Sequence, residues 1–566
     1  MIESAGHTAL AEARYAEAER LFRQELERCP ERDRDGKAKC LSNLASALRA
    51  QGRLHEAEEL LRRALAIEPS QAVTAACCNN LGEILAAAGS YPDALSLFLR
   101  ARELWQQTLD PKHPDLATCL NNLGMLAVAE RRFGDADPLY RQALETRREV
   151  LGPDHPEVGT SLNNLAGLRE AQGAYDDADR LYREALGVWG RALGERHPNV
   201  AVGLNNLAEL QRIRGRFEDA GELYQQALEI LRAVHGDLHS SVATAFNNLG
   251  ELRRSEARYV EAEALYRKSL EIDRAVLGEE HPEVATDLNN LAELFRIQGK
   301  LDEAEAFYLK ALVIREKKLD PYHPDLAILL NNLAMLYLAQ GRYQQAEPLY
   351  VRSYRLWEGA LGKFHPDVGI SLNNLANLYL AQHRYPEAEP LCRRAVEILE
   401  TSYGPEHHAV ASCLNNLAET LRGLHRIEEA EPLFRRALEI RRKALRVGHP
   451  DIATSLNNLA GLLETKGTLE EAELLYREAV ALWEEAFGPD HPRLATGLNN
   501  LAHLLQLKGD VPAAEALYSR SLDIHARSLG DRHPTVRKNL ANMASFLRTI
   551  GKKAQAEMLE SRLRGS

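Results

Sequence analysis

Leu162-Asn163-Asn164-Leu165-Ala166 returns as Leu330-Asn331-Asn332-Leu333-Ala334. The Asn-Asn pair begins at 79, 121, 163, 205, 247, 289, 331, 373, 415, 457 and 499. Every step is 42 residues, with no insertion or deletion across eleven copies. A fixed period of this size marks a chain of like supersecondary units, each packing on its neighbours. A length of 566 residues would otherwise suggest several domains. An unbroken repeat removes that need, because a stack grows without a second core.

The unit around this motif reads as two helices. Taking 159–200 as the example, apolar residues at helical spacing predict a first helix over about 157–172 and a second over about 176–193. Gly173-Ala174-Tyr175 turns the chain, and Gly194-Glu195-Arg196-His197-Pro198 returns it. Pro92, Pro386 and Pro512 fall where second helices start, a place that has no use for an N–H. Pro138, Pro348, Pro390 and Pro432 lie about one turn further in, where they would loosen that turn slightly. Glycine follows the second helix at 152, 194, 236, 278, 362, 404, 488 and 530, as a left-handed C-terminal cap requires. Histidine, usually followed by Pro, then recurs from His113 to His533. Pro opens the next helix there, and an acidic residue behind it suits a helix N-terminus.

The ends depart from the pattern. Residues 1–28 show half of it, Ser42-Asn43-Leu44-Ala45 is a degenerate copy, and Ala541-Asn542-Met543-Ala544 is a decayed one. We therefore expect atypical capping repeats over 1–74, eleven regular units over 75–536, and a degenerate repeat with a capping helix over 537–566. The fold class is all-α, an α-solenoid of about 12–13 helix-turn-helix repeats.

A net charge of −12 and pI near 5.9 argue against nucleic acid or an anionic membrane as the main partner. No apolar run approaches the ~20 residues of a membrane span. The start, Met1-Ile2-Glu3-Ser4-Ala5, lacks a basic head before an apolar run, so no secretory signal is read there. Seven cysteines without a CxxC pair read as reduced core thiols of a cytoplasmic protein.

The order Leu, Leu-Ala/Gly, Gly-x-Tyr, Ala, Tyr, Ala-Leu resembles the tetratricopeptide repeat. Leu-Asn-Asn-Leu-Ala, the Ala388-Glu389-Pro390-Leu391-Cys392-Arg393-Arg394-Ala395 stretch and Leu-Gly-x-x-His-Pro together resemble the repeats of kinesin light chains. The resemblance covers about residues 40–550. That family carries a heptad coiled coil before its repeats, and this sequence shows none. The resemblance implies a right-handed superhelix whose first helices line the inner wall. It also implies a cargo-binding type of repeat used without the motor-binding half, as in free-standing arrays of bacteria and signalling proteins.

Let the Asn pair hold places 5 and 6 of the unit. At 100° per residue, places 1, 4, 7, 8 and 11 share an apolar side, while 2, 5, 6, 9 and 13 share the other, with 12 on a flank. The Asn pair thus sits on a non-core stripe. Asparagine is poor inside helices, so its fixed recurrence needs a reason. One is an amide ladder tying successive repeats. The other is a row of donors and acceptors gripping a peptide backbone. The second Asn matches the clamp position of peptide-binding repeats, giving Asn164, Asn206, Asn248, Asn290, Asn332, Asn374 and Asn416 as candidate groove residues. Uniform residues cannot select, so selectivity falls to places 9 and 12: Glu209, Glu251 and Glu293 with Arg212, Arg254 and Arg296, then Leu338 and Leu380, then Arg422 beside Glu419. Each Glu–Arg pair also reads simply as an exposed helix pair three residues apart. Aligned arginines beside apolar places suit an acidic peptide with an aromatic or aliphatic anchor. Kinesin light chains favour such segments, which is what the resemblance implies.

One histidine per repeat cannot supply the three or four ligands of a zinc site, so the His ladder reads as caps and turns. Trp105, Trp189, Trp357 and Trp483 hold one place in the second helix and read as packing. No catalytic or phosphate-binding motif occurs, and no cofactor or metal is implied. The expected function is a scaffold or adaptor binding a protein or peptide. The alternatives are a regulatory subunit whose superhelix changes shape on binding and a self-assembling structural spacer. Self-association remains compatible with the sequence.

Overall fold

The computed structural model describes residues 5–11, 14–30, 32–51, 53–319, 321, 323–445, 448–529 and 534–565. The expected Gly530 cap and His533 lie outside the described residues. Two compact units divide the chain, unit 1 over Met1–His365 and unit 2 over Pro366–Ser566.

Every described element is a helix. In unit 1 they are α1 (Ala5–Ala11), α2 (Tyr15–Arg28), α3 (Arg34–Ala50), α4 (Leu54–Ala66), α5 (Gln71–Ala87), α6 (Tyr91–Thr108), α7 (Pro114–Ala129), α8 (Phe133–Leu151), α9 (Pro156–Ala171), α10 (Tyr175–Leu193), α11 (Pro198–Ile213), α12 (Phe217–His235), α13 (Ser240–Ser255), α14 (Tyr259–Leu277), α15 (Pro282–Ile297), α16 (Leu301–Lys318), α17 (Pro324–Ala339) and α18 (Tyr343–Leu361). In unit 2 they are α19 (Pro366–Ala381), α20 (Tyr385–Tyr403), α21 (His408–Gly423), α22 (Ile427–Ala444), α23 (Pro450–Lys466), α24 (Leu469–Phe487), α25 (Pro492–Lys508), α26 (Val511–Leu529), α27 (Pro534–Thr549) and α28 (Lys553–Gly565). Odd-numbered helices are the first of each pair. The opening segment forms a pair of its own, α1 with α2.

Each pair packs along its length, and within each unit each second helix packs on the next first helix. Successive first helices also touch, as α11 does α13 and α19 does α21. The first helices therefore lie on the inside of the curve in each unit. The chain is an α-solenoid of helix pairs. Its core repeats with the sequence. Place 24 carries a large side chain in most units, and Tyr224, Tyr266, Tyr308, Tyr350 and Phe434 are fully buried there. Where place 8 is glycine, that aromatic ring takes the room: a Cβ on Gly250 would lie 2.8 Å from the Tyr266 ring.

The histidine ladder caps helices. Nδ1 of His113, His155, His197, His239, His281, His323, His407, His449 and His491 accepts the backbone N–H two residues on, at 3.0–3.3 Å. One orphan donor of the first turn is satisfied this way. The loop glycines differ from expectation. Gly152 and Gly194 have φ of 87° but ψ of 157° and 152°, so they are not left-handed helical caps. They occupy a region that glycine alone enters readily. Without glycine the loop changes form: Leu109 and Leu319 end α6 and α16 at φ −118° and −103°. Left-handed backbone sits instead between the two helices of a pair, at Gly467 and Gly509 for example. Pro138, Pro348, Pro390 and Pro432 are accommodated inside α8, α18, α20 and α22.

One buried contact varies from joint to joint. Place 31 of a second helix meets place 3 of the next first helix. Arg147 Nη1 donates to Ser161 Oγ at 2.8 Å, Arg441 Nη1 to Ser455 Oγ at 2.8 Å, and Asn539 meets His525 at 2.7 Å. At the α14–α15 joint the pair is Asp273 and Asp287, both buried. The Ser269 hydroxyl lies 2.9 Å from Ala243 O and 2.8 Å from Asp287 Oδ1. It has one hydrogen for two acceptors, so a proton on Asp287 completes the arrangement. Burial pushes the carboxyls up to about 7 at Asp273 and about 8 at Asp287, and Glu283 adds to both.

Cys77, Cys78, Cys119, Cys392 and Cys413 are buried free thiols, whereas Cys29 and Cys40 are partly exposed. Trp105, Trp189 and Trp483 are buried packing residues. Among the described residues no helix is long and apolar enough to cross a membrane, and no cluster of three or more residues could hold a metal ion.

Candidate concave peptide-binding surface

The inner stripe is an amide ladder first. The second Asn of one repeat donates Nδ2–H to Oδ1 of the first Asn of the repeat before. In unit 1 the rungs are Asn122 to Asn79 (3.0 Å), Asn164 to Asn121 (2.8 Å), Asn206 to Asn163 (2.9 Å), Asn290 to Asn247 (2.9 Å) and Asn332 to Asn289 (3.0 Å). In unit 2 they are Asn416 to Asn373 (2.9 Å), Asn500 to Asn457 (3.0 Å) and Asn542 to Asn499 (3.3 Å). Two rungs are missing among the described residues. Asn205 Oδ1 has no partner, so Asn248 does not complete its rung. Asn415 Oδ1 has none either, because Asn415 turns its amide to Ala411 O and Ser455 Oγ. A rung uses one of the donor's two amide hydrogens. The ladder thus leaves hydrogen-bonding capacity on the second Asn.

Places 9 and 12 are more constrained than a solvated helix pair. Arg212 grips Glu209 through Nε at 2.8 Å and Nη2 at 2.6 Å, and its Nη1 reaches Ser255 Oγ at 2.9 Å. Arg296 holds Glu293 the same way at 2.8 and 2.7 Å, and Arg254 holds Glu251. The planar fork makes each pair bidentate. Each carboxylate also accepts a buried place-24 phenol: Tyr224 to Glu209 (2.8 Å), Tyr266 to Glu251 (2.8 Å) and Tyr308 to Glu293 (2.9 Å). Arg212 also faces Glu251 of the next repeat at 3.7 Å. Burial by itself would raise the Glu251 carboxyl, but hydrogen bonding and charge from Arg254, with the Tyr266 hydroxyl and Arg212, hold it below its ordinary value. The Arg stripe of unit 1 is therefore a paired, nearly neutral network and not a row of free cations. Leu338, half-buried, follows it on α17.

Unit 2 arranges the same places around a cavity of about 640 Å³. Leu380, Asn416 and Arg422 line it together, with Glu419, Tyr385, Glu464, His503 and Lys538. Arg422 holds Glu419 through Nε at 2.9 Å. Place 24 is Phe434 there, so no phenol joins. In the next repeat Glu464, at place 12, accepts the Tyr476 hydroxyl at 3.0 Å and meets His503 Nδ1 at 2.6 Å. The hydrogen bond to Glu464 raises the His503 imidazole above its ordinary value against the pull of burial.

The singled-out residues thus divide by unit. Those of unit 1 belong to the ladder and the Glu–Arg–Tyr network, except Asn248 and Leu338. Leu380, Asn416 and Arg422 share the unit 2 cavity. Tyr385, Glu464, His503 and Lys538 were missed. The same tyrosine contact recurs where place 12 itself is an acid or amide, as in Tyr182 with Glu170 (3.0 Å) and Tyr518 with Gln506 (3.1 Å).

Ten matches to the tetratricopeptide repeat model span residues 2–69, 74–149, 127–189, 163–233, 241–317, 288–359, 325–389, 367–443, 451–510 and 493–563. The chain belongs to the tetratricopeptide repeat family. Repeats of this family mediate protein–protein interaction. Among solved structures the chain is similar to BtubC (BKLC) from P. vanneervenii, at 29% identity over 41% of this chain and 92% of that one, with a TM-score of 0.34. It is also similar to a putative kinesin light chain from Podosopora anserina with nearly identical TPR-like repeats, at 26% identity over 36% and 95%, with a TM-score of 0.31. A single-substitution form of the latter gives 25% identity, 36% and 95% coverage, and a TM-score of 0.32. No curated protein matches the chain.

Proposed function

We propose that this tetratricopeptide protein is a cytoplasmic scaffold or adaptor that binds an extended peptide on its inner face and catalyses nothing. The observation that carries the reading is the unit 2 cavity, where Leu380, the Asn416 amide and the Arg422 guanidinium converge. An apolar wall beside an amide row and two basic groups, Lys538 and Arg422 in its more exposed pair with Glu419, suits an acidic segment with an aromatic or aliphatic anchor. The amide supplies sequence-independent grip, the apolar wall takes the anchor, and the cations select charge. Within unit 1, the candidates that belong to this reading are the remaining capacity of the second Asn residues and the apolar Leu338.

The test uses fluorescein-labelled acidic peptides carrying a Trp or Leu anchor, with charge-swapped basic peptides of equal length as controls, read by anisotropy on the full chain. The acidic peptides are expected to bind and the basic ones not. Leu380→Asp and Arg422→Glu should each weaken binding at least about tenfold, ~1.4 kcal/mol. Unchanged affinity in both variants, with helix content intact, would overturn the assignment of this surface.

A further inference from the structure

Unit 1 touches itself across a long stretch of chain. His323, at the start of α17, places Nε2 2.8 Å from the carbonyl oxygen of Ala87, 236 residues away. The distance along the chain lies between five and six 42-residue repeats. Nδ1 of His323 already accepts the Asp325 N–H at 3.0 Å. The neutral ring that does this carries its hydrogen on Nε2, so His323 donates to Ala87. Ala87 ends α5, and its carbonyl is among those a helix C-terminus leaves without an intrahelical partner. His323 is buried.

A second observation locates the same seam. A Cβ on Gly89, in the α5–α6 turn, would lie 2.3 Å from Cδ of Pro324. The matching glycines of unit 1, Gly173, Gly215, Gly299 and Gly341, have nothing within 4 Å. Beside the seam, a cavity of about 420 Å³ lies between the Gln51–Glu56 edge and the α14–α15 loop at Glu280 and His281. One edge of an early repeat thus meets the opposite edge of a repeat more than five steps later, at two neighbouring places.

We propose that this seam is a latch that holds a full turn of unit 1 closed, so that a bulky partner reaches its inner face only when the α5–α6 turn and the α16–α17 loop separate. The latch stands or falls independently of whether that face binds a peptide.

The variant that opens it is Gly89→Arg. The same turn place holds Arg131 and Ala257 at φ of 57° and 59°, so the backbone accepts a side chain there, which would wedge against Pro324. Gly215→Arg makes the same change facing open space and is the control. Hydrogen exchange of the full chain should show the segments 84–93 and 323–327 exchanging about tenfold faster in Gly89→Arg, and neither segment changed in Gly215→Arg. His323→Ala against His155→Ala repeats the comparison without a wedge. Each loses a helix cap, but only the first loses the seam. Access is read by maleimide labelling of Met125→Cys, at place 9 of the inner face and about half exposed, in a Cys29→Ser, Cys40→Ser background that removes the partly exposed thiols. N-ethylmaleimide should label the latched and Gly89→Arg proteins equally, while a maleimide carried on a small globular protein should label the latched one more slowly. Equal exchange in both glycine variants, or equal labelling by the bulky reagent, would overturn the latch.

Discussion

Places 9 and 12 of the repeat are filled differently in the two units. On α11, α13 and α15 of unit 1, Glu and Arg close on each other bidentately and on a buried tyrosine, three repeats running. On α19, α21 and α23 of unit 2, the same places hold Leu380, the Glu419–Arg422 pair without a phenol, and Glu464 paired with His503, around an open cavity. One register serves two purposes. A side chain on the inner face is available to a partner only to the extent that its neighbours leave it unsatisfied. Burial and pairing in unit 1 turn potential recognition residues into joints between helices. The mixed filling of unit 2 leaves polar groups beside space.

The largest expected effect comes from reversing one charge in each unit. Arg254→Glu would set a second carboxylate beside Glu251 and strip a half-buried network of its cation, at a cost of about 2–3 kcal/mol. Arg422→Glu should cost about 1 kcal/mol, since that pair is more exposed and lacks the phenol. Because solenoid repeats unfold with local cooperativity, the comparison is best made by hydrogen exchange of α13–α14 against α21–α22. Equal losses would erase the distinction between network and cavity.

The carboxyl pair at the α14–α15 joint gives unit 1 a pH dependence of its own. Folded Asp273 and Asp287 hold protons up to about 7 and about 8, whereas the unfolded chain releases them near 4. Between those limits the folded state binds more protons, so stability falls as pH rises and the contribution is gone above about pH 8. Asp287→Asn should therefore stabilise this joint on the order of 2 kcal/mol at pH 8 and far less at pH 4. Thermal melts at the two pH values read the difference, and a pH-independent effect would refute the protonated carboxyls.

A subtler contrast lies within the ladder. Asn206→Ala leaves Asn163 Oδ1 without its donor and should cost about 1 kcal/mol. Asn248→Ala removes a side chain that makes no rung, since Asn205 Oδ1 is already unpartnered, and should cost close to nothing beyond packing. Urea unfolding midpoints separate the two.

These contrasts also show what the sequence could carry. The 42-residue period, the helix pairs and the histidine caps were legible because each depends on neighbours in the chain: His155 and Glu157 are two residues apart. The ladder was legible as one of two readings, since a wheel gives a face but not what lies across it. The Glu–Arg pairs were visible, but their tyrosines were not, because Tyr224 and Glu209 are fifteen residues apart on different helices. Glycine at 152 and 194 suggests a left-handed cap from sequence alone, yet ψ there follows from where the His-Pro loop must go. The seam was out of reach altogether. Whether residue 323 meets residue 87 depends on small rotations summed over more than five repeats, which no local pattern encodes.

The smallest effect belongs to His503. Its half-exposed imidazole pairs with Glu464 at 2.6 Å, and that hydrogen bond raises its affinity for a proton. A raised folded value means that the pair's stabilisation is complete below the unfolded value near 6.5 and is lost as pH rises through the folded one. Solvent screening keeps it below about 1 kcal/mol. The charge matters more than the stability: below that window the unit 2 cavity gains a third cation beside Arg422 and Lys538. Acidic-peptide binding should therefore tighten about two- to fivefold from pH 8 to pH 6, and His503→Gln should flatten that dependence without changing affinity at pH 8. If the variant keeps the full pH dependence, the titrating group lies elsewhere and His503 only orients Glu464 toward Tyr476.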